Sequence, residues 1–300
     1  MPHGLHPRAW RVRYAMGALL VVASLLLAGS GATETGLPGS ASSADQQVLR
    51  QVLAAWAGFP VSASPRPLLL LGGAGETTAS ASFGFPNGAD KMAFGDGAID
   101  PPAAWPKSPG EAAGYRLITA AAAFGEFTPP AGTARPPATT RLRTGAVTLG
   151  SAGFATDRGQ LELPAWVFTF EDVPGWVAVL AVAPASVYPM PAAVTPQPGE
   201  ALAGGVELDS DGRTLTVDTG GWRSGSGPCE AEYHLQVAWS DTAVAIVVDE
   251  RANPMPSGAG CALPYYFVRL TTVLPEPLGA RVVVNARAQP IEVTENGTAT

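Results

Sequence analysis

The spacing of apolar positions changes character several times along the chain. Ala15 to Gly29 is an apolar run carrying Leu19-Leu20-Val21-Val22 and Leu25-Leu26-Leu27. Further on, Val48, Leu49, Val52, Leu53 and Trp56 recur at helical spacing, preceded by the capping sequence Ser43-Ala44-Asp45-Gln46 and followed by Gly58. Apolar residues three and four apart share one helix face, so this stripe predicts a helix that docks on the rest of the domain. Pro67-Leu68-Leu69-Leu70-Leu71-Gly72 reads as a short buried strand. Residues 76–107 show no period and are punctuated by Pro86-Asn87-Gly88, Gly95-Asp96-Gly97 and Pro101-Pro102. A second helix is expected from Ser108-Pro109-Gly110-Glu111 through Ala122 or Phe124, because serine, proline and glutamate fall at its N-cap, N1 and N3 positions.

From Arg141 the pattern turns to strands. Ala146-Val147-Thr148-Leu149, Gln160 to Phe170 and Trp176 to Val182 read as an antiparallel meander, with turns at Asp157-Arg158-Gly159 and Asp172-Val173-Pro174-Gly175. Pro164 inside the middle run predicts an edge or a bulge. Pro189 to Gly199 holds four prolines and reads as a linker. Six further strands are expected: Gly205 to Leu208, Thr214 to Asp218, Glu232 to Ser240, Ala243 to Glu250, Tyr265 to Leu274 and Arg281 to Asn285. Short strands packed this densely suggest a sandwich. Alternation places Tyr233, Leu235, Val237 and Trp239 on one face of their strand, and His234, Gln236 and Ala238 on the other, polar one.

The expected fold class is mainly β with some helix (α+β). An N-terminal α+β region over 43–188 and a Pro-rich linker over 189–200 precede a C-terminal immunoglobulin-like antiparallel β-sandwich over 201–291. Residues 292–300 read as a tail. Ahead of this body, Arg8, Arg11 and Arg13, the apolar run and Ser30-Gly31-Ala32 form the three parts of an export signal over 1–32, followed by a flexible spacer over 33–42. The apolar run of fifteen residues is short of the roughly twenty that span a bilayer. Cleavage therefore leads over a retained membrane anchor, and it makes Thr33 the first residue. Leu27-Ala28-Gly29-Ser30 resembles a lipoprotein box with serine in place of cysteine. A hydroxyl cannot form the thioether that carries the lipid.

Composition narrows the chemistry. Removing three arginines with the signal leaves 15 basic against 25 acidic residues, a net charge of −10. Nucleic acid is thereby excluded as a partner, and a membrane enters only if the apolar segment is retained. Cys229 and Cys261 are an even pair in the exported part, expected to form a disulfide worth roughly 3–4 kcal/mol. His234 is the one histidine beyond the signal and lies on the polar face, so neither a serine-hydrolase triad nor a zinc site is expected. Gly72-Gly73-Ala74-Gly75 lacks the Gly-Lys ending of a phosphate loop, and Asp209-Ser210-Asp211-Gly212 lacks the closing glutamate of a calcium loop. No catalytic, cofactor-binding or metal-binding residue is assigned, and no cofactor is implied. Carboxylate chemistry stays open at Glu171-Asp172, Glu230 with Glu232, and Asp249-Glu250. Trp105, Trp222 and Tyr265-Tyr266 fall in or beside loops where a ring can stack on a sugar, whereas Trp166, Trp176 and Trp239 fit core positions.

Four segments carry a resemblance. Thr156-Asp157-Arg158-Gly159, Leu163-Pro164-Ala165-Trp166-Val167-Phe168, the Cys229 to Tyr233 spacing and Pro277-Leu278-Gly279-Ala280-Arg281-Val282-Val283 resemble an uncharacterised family of exported and lipoprotein-like proteins from high-GC Gram-positive bacteria. The similarity runs from about Pro67 to Ile291. It implies an exported location and a domain layout, and it carries no catalytic residues. The leading expectation is a non-catalytic cell-envelope or extracellular binding module, with a protein or cell-wall glycan as ligand. A carboxylate-dependent hydrolase of envelope polysaccharide and a purely structural accessory protein are the alternatives.

Overall fold

A computed structural model describes residues 43–73, 76–126, 140–195, 200–201, 203–258, 260–261 and 266–296. The expected signal, the spacer and Tyr265 lie outside the described residues. The first helix forms as its stripe requires: α1 (Ser43–Ala55) buries Val48, Leu49, Val52 and Leu53. The apolar run after it supplies no regular strand; Leu68 and Leu70 instead make single bridges to Val187 and Thr156.

The stretch without a period carries three short elements, β1 (Thr77–Ala79), α2 (Gly88–Gly95) and β2 (Ile99–Asp100). Asn87, expected in a turn, caps α2: its side chain accepts the Asp90 N–H at 3.0 Å. The helix expected from Ser108 is replaced by a hairpin, β3 (Glu111–Ala112) and β4 (Tyr115–Arg116). Ala113 and Gly114 turn it at φ 49° and 79°. Two successive left-handed residues close a two-residue hairpin and cannot continue a helix. The third helix, α3 (Ala120–Glu126), starts only after Thr119, whose hydroxyl accepts the Ala122 N–H at 3.1 Å.

The meander forms as β5 (Leu142–Thr156), β6 (Gly159–Phe170) and β7 (Val173–Leu180), in a sheet ordered β1-β7-β6-β5-β2. Trp166, Phe168, Phe170, Val177 and Val179 face a core shared with Phe94 of α2 and Phe124 of α3. Leu163, Ala165, Ala178 and Leu180 face Leu68, Leu70 and Phe154 on the other side. Pro164 stands where pairing with β7 ends, so residues 159–163 of β6 are held by β5 alone. The missing N–H is tolerated at this local edge.

The C-terminal part is a β-sandwich built from β8 (Glu200–Ala201), β9 (Ala203–Leu208), β10 (Thr214–Gly221), β11 (Arg223–Ser224), β12 (Glu230–Trp239), β13 (Ala243–Ala252), β14 (Tyr266–Val273), β15 (Val282–Val284) and β16 (Val293–Glu295). One sheet is ordered β14-β10-β9-β16 and the other β11-β12-β13-β15, with β8 also paired to β13. Three short strands depart from the antiparallel expectation: β11, β15 and β16 run parallel to β12, β13 and β9. The segment read as a tail thus contributes a strand to the sandwich.

Val206, Leu215, Val217, Val237, Val244 and Ile246 fill the space between the sheets. The opposite face of β13 packs through Ala243, Ala245 and Val247 against α1. Although α1 comes first in the sequence, its stripe is therefore buried on the C-terminal sheet. Burial on both faces explains why β13 reads as a continuous apolar run rather than an alternating one. It also corrects the expected polar face of β12. Gln236 and Ala238 are buried there beneath α1, and Gln236 donates to Asp45 at 2.7 Å; His234 alone keeps about half its side chain exposed, at 48%. In the proline-rich stretch, Val194 donates to the Arg287 carbonyl at 3.0 Å, and Tyr188 just before it stacks on Trp56.

Two of the segments that carry the resemblance meet. Asp157, 2% exposed, accepts two bonds from Arg66 at 3.1 and 2.5 Å. Arg158 donates to the carbonyls of Gly279 and Arg281 at 2.8 and 2.6 Å. Arg281 folds back on the carbonyls of Leu278 and Pro277, which holds that loop in shape.

Candidate functional site

At one end of the sandwich, β10 runs into the glycine-rich loop 221–227 before β12 begins. Two glutamates hold this loop. Glu250 accepts the Trp222 N–H at 3.3 Å and the Tyr233 hydroxyl at 3.1 Å, while that hydroxyl also reaches the Trp222 carbonyl at 2.7 Å. Glu230 accepts the Gly227 N–H at 2.7 Å. Asn253 donates to the carbonyls of Gly225 and Gly227, both at 2.9 Å. The close approach needs glycine: a Cβ on Gly225 would fall 2.2 Å from a Glu230 oxygen, and one on Gly221 would fall 2.4 Å from the Tyr233 hydroxyl.

Cys229 and Cys261 are joined by a disulfide there, with Cα atoms 5.7 Å apart. The bridge ties the start of β12 to the segment that leads into β14. Trp222, Pro228, the disulfide, Ala252 and Met255 line a concavity of about 210 Å³, with Glu230 and Asn253 also in its wall. Met255 is 53% exposed, and its sulfur lies 3.0 Å from that of Cys261. Beside the concavity, the Arg223 guanidinium sits 5.4 Å from the ring centre of Tyr266. The surface is largely apolar, with Met255 exposed and Trp222 half-buried, and Glu230 and Asn253 beside it are bonded to the loop backbone.

The acids singled out by sequence fall in two places: Glu171 and Asp172 between β6 and β7, and Glu230, Glu232, Asp249 and Glu250 at one end of the β12–β13 pair. Glu171 pairs with Arg143 at 2.8 Å, and Asp172 lies 3.9 Å from the same arginine. Asp249 pairs with Arg251 at 2.7 Å, and Glu232 stands 3.8 Å from His234. Of the four at the β12–β13 end, Glu230 and Glu250 hold loop backbone. Among the described residues, no three of His, Cys, Asp and Glu gather into a group that could hold a metal ion. Asp211 accepts N–H bonds from Thr214 and Arg213 and the Thr214 hydroxyl, which lowers its pKa and closes a turn. The tryptophans sort largely by depth. Trp166 is buried and donates to the Ile118 carbonyl at 2.9 Å; Trp176 and Trp239 are partly buried; Trp105 is 38% exposed, edge-on to Phe124.

Sequence reasoning missed Glu76, which lies beyond the dismissed glycine loop. Burial pushes its carboxyl above the ordinary carboxylate range, while the N–H groups of Ala155 and Gly72 pull it back. Its Oε2 is buried with no hydrogen-bond partner among the described residues. A carboxyl whose folded pKa is raised loses stability as pH climbs from the ordinary 4.5 through the folded value. Glu76→Gln keeps the acceptor for the two N–H groups and removes the charge. It is therefore expected to be more stable than wild type at neutral pH, with the gap closing by about pH 4; urea denaturation at both pH values measures it.

Comparison with protein-family models, curated proteins and solved structures finds no match to this chain. Among the described residues, no helix is long and apolar enough to cross a membrane.

Proposed function

We propose that the chain is an exported binding module that holds a protein ligand at the Trp222 concavity. The carrying observation is the apolar wall of the concavity, where Met255 is exposed and half-buried Trp222 lies beside the Cys229–Cys261 bridge. A glycan site needs hydrogen-bond partners beside its stacking ring, and here Glu230 and Asn253 are engaged with loop backbone. An apolar side chain of a protein ligand fits such a wall with less desolvation cost. Export is supported by the N-terminal pattern of Arg8, Arg11, Arg13 and the apolar run, by the resemblance to exported proteins, and by the disulfide. The binding reading over hydrolysis is supported by the roles found for Glu230 and Glu250, which brace a loop.

Retention of the mature chain on an envelope fraction, before and after protease digestion of that fraction, tests the ligand class. Retention is expected to vanish with digestion, and Trp222→Ala is expected to weaken it at least about tenfold, the scale of one interface anchor. Trp105→Ala should leave retention unchanged. Undiminished binding to digested sacculi would move the ligand to glycan. Turnover of sacculi that drops about a hundredfold in an amide variant of Glu171, Asp172, Glu230, Glu232, Asp249 or Glu250 would replace binding with hydrolysis.

A further inference from the structure

We propose, resting on the binding reading above, that the Trp222 concavity takes a lysine side chain of its protein ligand and that Glu230 meets the ammonium group. Glu230, Glu232, Asp249 and Glu250 stand at this end of the β12–β13 pair, against the guanidinium groups of Arg223 and Arg251. Arg251 is drawn to Asp249 at 2.7 Å. Arg223 stands level with Glu230 in the β11–β12 register, but its guanidinium lies over the Tyr266 ring. Among the described residues, neither Glu230 nor Glu250 has an ion pair; both accept only from backbone N–H groups and the Tyr233 hydroxyl. Residues 252–265, which supply Ala252, Asn253, Met255 and Cys261 to the wall, contain no lysine, arginine or histidine.

The Gly227 N–H engages Glu230 Oε2 as a neutral donor, so the carboxylate keeps its charge without a counter-ion. A lone charge in an apolar wall selects a ligand that is apolar along its length and cationic at its tip. Lysine has that form: an aliphatic stem that can lie along Trp222, Met255 and the Cys229–Cys261 bridge, and a compact ammonium that one oxygen can accept. Arginine presents a planar fork that pairs best with both oxygens of a carboxylate at once. With Oε2 held by Gly227, Glu230 cannot give that fork both oxygens unencumbered. Trp222 adds to the attraction, because an indole ring draws a cation to its face more strongly than the other side-chain rings do. The acidic balance of the chain beyond the signal steers basic segments toward it over longer range.

The test is retention of the mature chain on the envelope fraction, either native or with its amines acetylated by acetic anhydride. Acetylation keeps the lysine stem and removes its charge. It is expected to weaken wild-type retention about tenfold. Because it alters the fraction and not the chain, this arm needs no folded variant. Glu230→Gln keeps an acceptor for the Gly227 N–H and should show the same loss on the native fraction. Acetylation should then cost that variant nothing more, since both changes delete one interaction. Glu171→Gln makes the same change in net charge within the meander and should behave as wild type. Trp222→Ala separates the two readings. If it weakens retention while acetylation and Glu230→Gln do not, the binding site stands and lysine recognition is overturned. If acetylation costs wild type and Glu230→Gln equally, the pairing with Glu230 is overturned. If Trp222→Ala leaves retention unchanged, the concavity is not the site and both readings fail.

Discussion

Asp157→Ala is expected to destabilise the protein by about 3 kcal/mol or more, the scale of breaking a buried ion pair from one side. The carboxylate is 2% exposed and receives two bonds from Arg66, with the Arg158 guanidinium 3.7 Å away. Removing it leaves two cations facing each other in a partly desolvated place. Burial already lowers the Arg158 pKa, Asp157 raises it, and Arg66 lowers it further. The cluster also fixes the path of the chain. The backbone of Asp157 donates to the Leu69 carbonyl at 3.2 Å and accepts from Val293 at 3.1 Å, and Arg66 reaches the Ala280 carbonyl at 3.3 Å. Losing the carboxylate therefore loosens the meander from the loop before β15. Urea denaturation should show a lower midpoint for Asp157→Ala. The double variant Arg66→Met with Asp157→Leu should recover much of the loss, because it removes the Arg66 charge and ends its repulsion of Arg158, which keeps its bonds to the Gly279 and Arg281 carbonyls. An Asp157→Ala midpoint equal to wild type would show that the cluster contributes nothing to stability.

Replacing Cys229 and Cys261 together by alanine is expected to cost about 3–4 kcal/mol in the chain-entropy account of a loop this long. The two residues are 32 apart in sequence and bridge β12 to the approach of β14. Removing the bond should also open the wall that supports Trp222 and Met255, so retention on the envelope fraction should fall along with stability. Trp222→Ala differs in kind, since it should lose retention and keep the unfolding midpoint. Intact mass of the exported protein, lower by two hydrogens than after reduction, checks the bond directly; a chain with two free thiols would contradict it. A double alanine variant as stable as wild type would mean that the surrounding strands hold the end of the sandwich unaided.

The helix α1 and most of the longer strands were readable from periodicity, because their apolar residues recur at the spacing of one buried face. Val48, Leu49, Val52 and Leu53 announce a helix with one dry side, and Thr214 to Asp218 announces a strand of alternating depth. The cysteine pair was readable as well, since two cysteines in an otherwise cysteine-free chain leave one intramolecular partner. Where local signals competed, the sequence misled. Ser108-Pro109-Gly110-Glu111 has the composition of a helix start, yet the left-handed turn at Ala113 and Gly114 makes a hairpin.

What tertiary structure decided was which faces meet. Nothing in the alternation of β12 says that Gln236 and Ala238 lie under a helix nearly two hundred residues earlier, because burial of a face depends on what covers it. The roles of the acids follow the same rule. Glu230 and Glu250 look like any strand-end carboxylates until folding brings the glycine loop against them. Asp157 looks like a turn residue until Arg66 closes over it, and Glu76 like a loop acid until burial raises its pKa. Sequence by itself determined the local periods, the expected export address and the cysteine partners, because spacing and composition act along the chain. The concavity at Trp222 and the clasp at Asp157 arise from long-range packing, which sets the burial and hydrogen-bond partners that give those residues their roles.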